Sequence, residues 1–174
     1  TLSLDKAKLL RAAGVNRISM GVQSLDAGLL ERLGRVHSRE MVFKSYDCLR
    51  AAGFERINLD LMFAIPSQTM EIWKASLRET ADLEPEHLSC YEVIYEQDTP
   101  LYEQLQAGEF EVHEDLACDM FEELVAFGGE RGYHQYEVAN FARHTGGKGF
   151  EIPSEACRHN INYWRGGDYH GLGP

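Results

Sequence analysis

No two of the four cysteines, Cys48, Cys90, Cys118 and Cys157, stand close enough to form a CxxC pair. That spacing argues against a disulfide framework or a local zinc site and fits reduced thiols in a cytosol-like compartment. Long apolar runs are missing too. None approaches the roughly 18 residues that cross a bilayer, so no transmembrane segment is expected and only peripheral membrane contact is left open. Positive charge is scarce: Lys and Arg number 17 against 28 Asp and Glu, a net charge of −11. A nucleic-acid partner is therefore not expected, because a phosphate backbone needs a basic face. The opening TLSLDKAK carries no initiator Met, signal peptide or transit-like segment, and the chain stops at GLGP. The expectation is a portion of a longer protein whose address signal lies outside these residues.

What is present is ordinary in bulk. Apolar residues make up 44% and charged ones 26% of 174 residues, which suits a soluble domain, or a large piece of one, with a real core. The order is more informative. "RAAGVNRI" at 11–18 returns as "RAAGFERI" at 50–57, a period of 39. In each copy a helix ends in Ala-Ala-Gly, the glycine placed for a left-handed cap, and a strand follows. Ser38 is placed to cap the second helix, with Val42, Tyr46 and Leu49 at helical spacing. A looser third copy runs through "TADLEPEHLSCYEVI" (80–94) and a fourth through "ERGYHQYEVANF" (130–141). Helices alternating with short apolar strands indicate parallel βαβ units, in a doubly wound sheet or a barrel.

Side-chain parity sharpens this. Ile18, Met20 and Val22 share one face of the first strand, opposite Ser19, Gly21 and Gln23. Ile57, Leu59 and Leu61 share one face of the next, opposite Asn58, Asp60 and Met62. The aliphatic face suits covering helices. The polar face suits the inside of an open or partial barrel that holds a ligand at its strand ends, since unpaired Asp or Asn in a dry core is costly. Equally, Gln23 and Asp60 could serve only as hydrogen-bond partners of neighbouring loops. Elsewhere, Cys90 reads as a small core residue on a strand, and Cys157 as a lone loop thiol. Residues from about Glu114 form an amphipathic acidic helix with Leu116, Met120, Leu124 and Phe127 buried. Residues 143–158 read as a glycine-rich mobile surface loop, and the short Gly-x-Gly after His170 does not amount to a phosphate-binding loop.

Three stretches carry a resemblance: "NRISMGVQSLDAGLLERLGRVHS", "NLDLMFAIPSQT" and "CRHNINYWRGGDYHGLGP". They resemble the oxygen-independent coproporphyrinogen oxidase branch of the radical S-adenosylmethionine (SAM) proteins, and within it the HemW-type haem chaperones. The resemblance covers essentially the whole chain. It implies an α/β fold, the second half of a partial (βα)6 TIM-like barrel over residues 1–112 and the start of a C-terminal region over 113–174. The family's [4Fe–4S] cluster sits on a CxxxCxxC loop that these residues do not contain. By resemblance, Gln23, Arg35, Asp60 and Ile94 are SAM contacts. The family's glycine after the aspartate strand is here Ala64.

The segment "CRHNINYW" matches the HN-x-x-Y-W pattern of the chaperone-like members. It implies haem contact by His159, Asn160, Tyr163 and Trp164, with His159 as an axial iron ligand; Tyr163 offers a phenolate as a second option. Read without the resemblance, His159 and Asn160 are a loop hydrogen-bond pair and Tyr163 and Trp164 fill a core edge. The implied functions are delivery of haem to apo-proteins or, alternatively, radical decarboxylation of coproporphyrinogen propionates to vinyl groups with an unidentified electron donor. The implied location is cytoplasmic, or mitochondrial in a eukaryote. Taken alone, these 174 residues are expected to be inactive.

Overall fold

The computed structural model describes residues 2–147, 149 and 151–171; the end of the C-terminal stretch, residues 172–174, lies outside them. The elements are α1 (Leu4–Ala12), β1 (Arg17–Gln23), α2 (Ala27–Arg32), α3 (Arg39–Ala51), β2 (Arg56–Phe63) and α4 (Met70–Asp82), followed by β3 (His87–Glu92) and α5 (Pro100–Gln106). Then come α6 (Glu114–Glu130), β4 (Tyr133–Glu137), β5 (Asn140–Arg143) and α7 (Arg158–Trp164). Ser3, Asp26, Ser38, Thr69 and Thr99 cap their helices by accepting a backbone N–H from the first turn, which satisfies a donor the helix itself leaves unpaired.

The five strands form one sheet in the order β1-β2-β3-β5-β4. β1, β2 and β3 run parallel, while β5 is antiparallel to both β3 and β4. The repeat survives as geometry. Gly14 and Gly53 take φ of +94° and +85° beyond their helices, and Gly132 takes +80° in the fourth copy. In the third copy Glu84 occupies the same left-handed position at φ +55°, so the backbone plan persists where the glycine does not. The fourth copy departs from the simple unit. Its strand β4 lies at the sheet edge, because the turn at Val138–Ala139 folds β5 back between β4 and β3.

The aliphatic face predicted from parity is the core. Val22, Ile57, Leu59, Leu61, Leu88, Cys90 and Phe141 bury against Ala7, Val42, Tyr46, Leu49, Trp73, Leu77, Met120 and Leu124. Full burial of each large aliphatic is worth roughly 1.5–3 kcal/mol. Trp73 Nε1 donates to the Met120 carbonyl at 2.9 Å, joining α4 to α6. Along α6 the most deeply buried residues are Ala117, Met120, Leu124 and Gly128, with Leu116 and Phe127 at the margin of the core.

Within 143–158, residues 153–157 are not the loose loop that the glycines of this stretch suggest. The Glu155 N–H donates to the Arg143 carbonyl at 3.1 Å. Arg17 Nη1 donates to the Glu155 carbonyl at 3.3 Å, and Arg56 pairs with the Glu155 carboxylate at 3.0 Å. Pro153 and Ala156 are buried. The reason is positional: Arg17 and Arg56 open adjacent parallel strands and together hold this strap across the sheet.

Candidate functional site

The face of the sheet turned away from the core helices carries a continuous polar network. Asn58 fixes its direction. Its amide nitrogen donates to Asp60 Oδ1 at 2.6 Å and to Ser19 Oγ at 2.7 Å, and Ser19 Oγ donates in turn to the Asp60 carboxylate at 3.1 Å. The Asn58 carbonyl oxygen therefore faces the other way, toward His87 Nδ1 at 2.6 Å and Ser89 Oγ at 3.2 Å. The Ser89 hydroxyl has one proton to share between this oxygen and the Asn140 carbonyl oxygen at 3.0 Å, while the Asn140 amide donates to Glu137 at 2.6 Å. The network crosses β1, β2, β3, β5 and β4 without a break.

Burial pushes the Asp60 carboxyl above the usual carboxylate range, and the Ser19 and Asn58 hydrogen bonds pull part of the way back. His87 is 1% exposed. Burial, with the positive charge of Arg17, lowers its pKa to about 3, so the ring is neutral. Burial raises the Cys90 thiol far out of the reactive range, which leaves it a core residue.

Gln23 ends β1 in a left-handed conformation, φ +63°, at a register shift between β1 and β2. Its amide folds back over Gly21: a Cβ built on Gly21 would stand 2.8 Å from Gln23 Nε2. Gly21 is the register partner of Asp60, so the amide and the carboxylate flank one small residue. Gln23 and Ile94 line one groove of about 280 Å³ together with Met62, Tyr91 and Thr99. Arg35 lies in a different groove, beside Leu25, Leu30 and His37. His37 Nε2 bonds the Val22 carbonyl at 3.0 Å and so ties that loop to the end of β1. Among the described residues no partner engages the Arg35 guanidinium. Ala64 takes φ +57°, the conformation for which the family's glycine is suited.

Cys157 ends the loop before α7 and stands at its N-cap position. His159, Asn160, Tyr163 and Trp164 line an open groove of about 620 Å³ with Tyr91, Asn140 and Tyr169. Tyr163 and Trp164 are 54% and 46% exposed, so they do not fill a core edge. The His159 and Tyr163 rings both stand edge-on to Tyr169, at 5.9 Å and 5.1 Å between centroids. This arrangement offers an exposed imidazole within an aromatic wall, beside the polar network at Asn140.

Sequence reasoning passed over His87, Ser89, Asn140 and Tyr136. Parity on β3 could have found the first two, because His87 and Ser89 alternate with Leu88 and Cys90. Tyr136 had no such signal, since its partner lies two strands away.

The radical SAM superfamily model matches residues 1–79. The haem chaperone HemW of Bacillus subtilis is 39% identical over 99% of this chain and 43% of its own length. HemW of Escherichia coli is 35% identical with the same coverage, 99% and 43%. The mitochondrial radical S-adenosyl methionine domain-containing protein 1 of Danio rerio is 37% identical over 93% of this chain and 35% of its own. The chain thus spans less than half the length of these relatives. Among solved structures, coproporphyrinogen III oxidase (HemN) from Escherichia coli, described as a radical SAM enzyme, is similar with a TM-score of 0.73 and 28% identity, covering 83% of this chain and 33% of that one. Part of a radical SAM barrel, an aliphatic face under helices and a polar face turned to a groove, is what these residues build, and the chain belongs to the radical SAM superfamily, in the branch that holds the HemW haem chaperones and HemN.

Proposed function

We propose that the protein carrying these residues binds haem and delivers it to apo-proteins on a radical SAM scaffold. The observation that carries this is the match to HemW chaperones over 173 residues, which runs through α7 and its groove. In this reading His159 is the axial ligand, Asn160 lines the pocket, and Tyr163 and Trp164 lie against the porphyrin face. Residues 1–112 supply the barrel part and 113–174 the beginning of the C-terminal region.

Membership of the superfamily implies SAM and a [4Fe–4S] cluster, which together supply one-electron chemistry when bound. Among the described residues no group of three or more His, Cys, Asp or Glu is gathered for a metal; the reading places the cluster's ligands outside this chain. The polar groups present fit SAM. The Asp60 carboxylate accepts from hydroxyl or amino groups, the unengaged Arg35 guanidinium suits a carboxylate, and the Gln23 amide both donates and accepts. Ile94, 75% exposed at the groove, offers an apolar contact. Among the described residues no helix is long and apolar enough to cross a membrane. A cytoplasmic location, or a mitochondrial one in a eukaryote, is part of the proposal.

A second reading, coproporphyrinogen oxidase, draws on the structural likeness to HemN. One experiment separates the two: the full-length, cluster-loaded protein is given coproporphyrinogen in one assay and haem with an apo-acceptor in another. The chaperone reading expects haem to be bound and passed on without decarboxylation. Decarboxylation by a protein that binds no haem would overturn it.

A further inference from the structure

Tyr136 stands where the sheet meets α7. Its hydroxyl lies 2.6 Å from His87 Nε2, and the Cys157 N–H donates to the same oxygen at 3.1 Å. Its ring packs 6.2 Å from Trp164, at the other end of α7. To reach His87 on β3 from β4, Tyr136 crosses β5, where the register partner of His87 is the small residue Ala142. The proton arrangement is set by Asn58. Its carbonyl oxygen can only accept, so His87 Nδ1 carries the proton and Nε2 is the acceptor. Tyr136 therefore donates to His87, which leaves its oxygen free to accept from Cys157. The result is one directed chain: Cys157 N–H to Tyr136, Tyr136 to His87, His87 to Asn58, Asn58 to Asp60.

We propose that Tyr136 is the positioning residue for α7, and that the buried His87 serves as its acceptor, fixing the pose of His159 over the polar face of the sheet. The proposal rests on the reading of the α7 groove as the haem site, and it adds a role for two residues outside that groove. Tyr136 holds α7 at both ends, by the hydrogen bond at its N-cap and the ring contact at Trp164. His87 makes the first of these directional, because a neutral imidazole protonated at Nδ1 presents a lone pair at Nε2.

The test uses the full-length protein with its cluster installed. Tyr136→Phe keeps the ring and its packing on Trp164 and removes only the hydroxyl. Without haem, amide exchange over residues 157–164 is expected to rise about tenfold, while amides of β2 and β3 hold their protection. Titration with ferric haem is then expected to show about tenfold weaker binding and a shifted Soret band. His87→Leu should do the same, and the double variant no worse than either single one, because both cut one chain. His87→Gln, which retains a donor and an acceptor, should recover part of the affinity. Unchanged exchange in α7 would overturn the proposal, as would additive losses or a general loss of protection across the sheet. If wild-type protein binds no haem, the chaperone reading falls, and the exchange measurement alone decides the role of Tyr136.

Discussion

Asp60 and His87 each bond the Asn58 side-chain amide at 2.6 Å, yet burial moves their proton affinities in opposite directions. Each direction has a consequence for stability. The folded pKa of His87 is lowered to about 3 from 6.5, so between those values the unfolded chain binds a proton that the folded one refuses. Its contribution is complete above about pH 6.5 and is lost as pH falls toward 3, at up to about 1.4 kcal/mol per pH unit. Urea denaturation at pH 7 and pH 5 should show that loss, and it should shrink in His87→Gln; parallel curves for the two proteins would contradict the assignment. Asp60 acts with the opposite sign, because its raised pKa makes the folded state the stronger proton binder as pH falls through the carboxylate range. Its function is tested by binding. In the cluster-loaded full-length protein, Asp60→Ala should weaken SAM by about 1–3 kcal/mol, typical for loss of a charged hydrogen-bond partner. Calorimetry giving equal affinities would remove Asp60 from the site. The polar side of β2 was legible in the alternation of Asn58 and Asp60 with Ile57, Leu59 and Leu61, since a strand has a period of two. The proton affinity of His87 was not, because it depends on how deeply the folded sheet buries the ring and on the charge of Arg17, distant in the chain.

At the scale of elements, the repeat explains both what could be read in the sequence and what could not. Ala-Ala-Gly before β1 and β2 announces a helix end, and Gly14 and Gly53 adopt the left-handed angles it requires. After α4 the same angle is taken by Glu84, a position where a side chain costs about 1–2 kcal/mol. Glu84→Gly, which restores the repeat, is expected to stabilise the protein by about 0.5–1 kcal/mol after the greater flexibility of glycine in the unfolded chain is set against the relief. Thermal unfolding of the variant should therefore shift upward, and a downward shift would show that the Glu84 side chain contributes more than the strain. The strap over 153–157 misled the sequence reading because its ties come from Arg17 and Arg56, distant in the chain. The fourth copy departs from the parallel unit for a related reason: β5 is inserted by a turn whose Val138 is 70% exposed and looks like part of a continuous strand.

For the whole molecule, the part in hand is a portion of a radical SAM barrel, less than half the length of its relatives. It brings two surfaces together: the polar face with Asp60 and Gln23, and the aromatic groove of α7. Asn140 belongs to both, since it bonds Ser89 and lines the groove. The resemblance in "CRHNINYW" drew attention to this groove, but its openness and the edge-on packing on Tyr169 depend on how α7 is held against the sheet. The most direct measurement of the central claim is a ferric haem titration of full-length wild type, His159→Ala and His170→Ala, followed through the Soret band. An imidazole bound to iron perturbs that band, whereas a histidine outside the coordination sphere changes affinity modestly and leaves ligation intact. The account predicts that His159→Ala weakens binding and shifts the band while His170→Ala leaves the spectrum as in wild type; superimposable spectra and affinities for all three would contradict it.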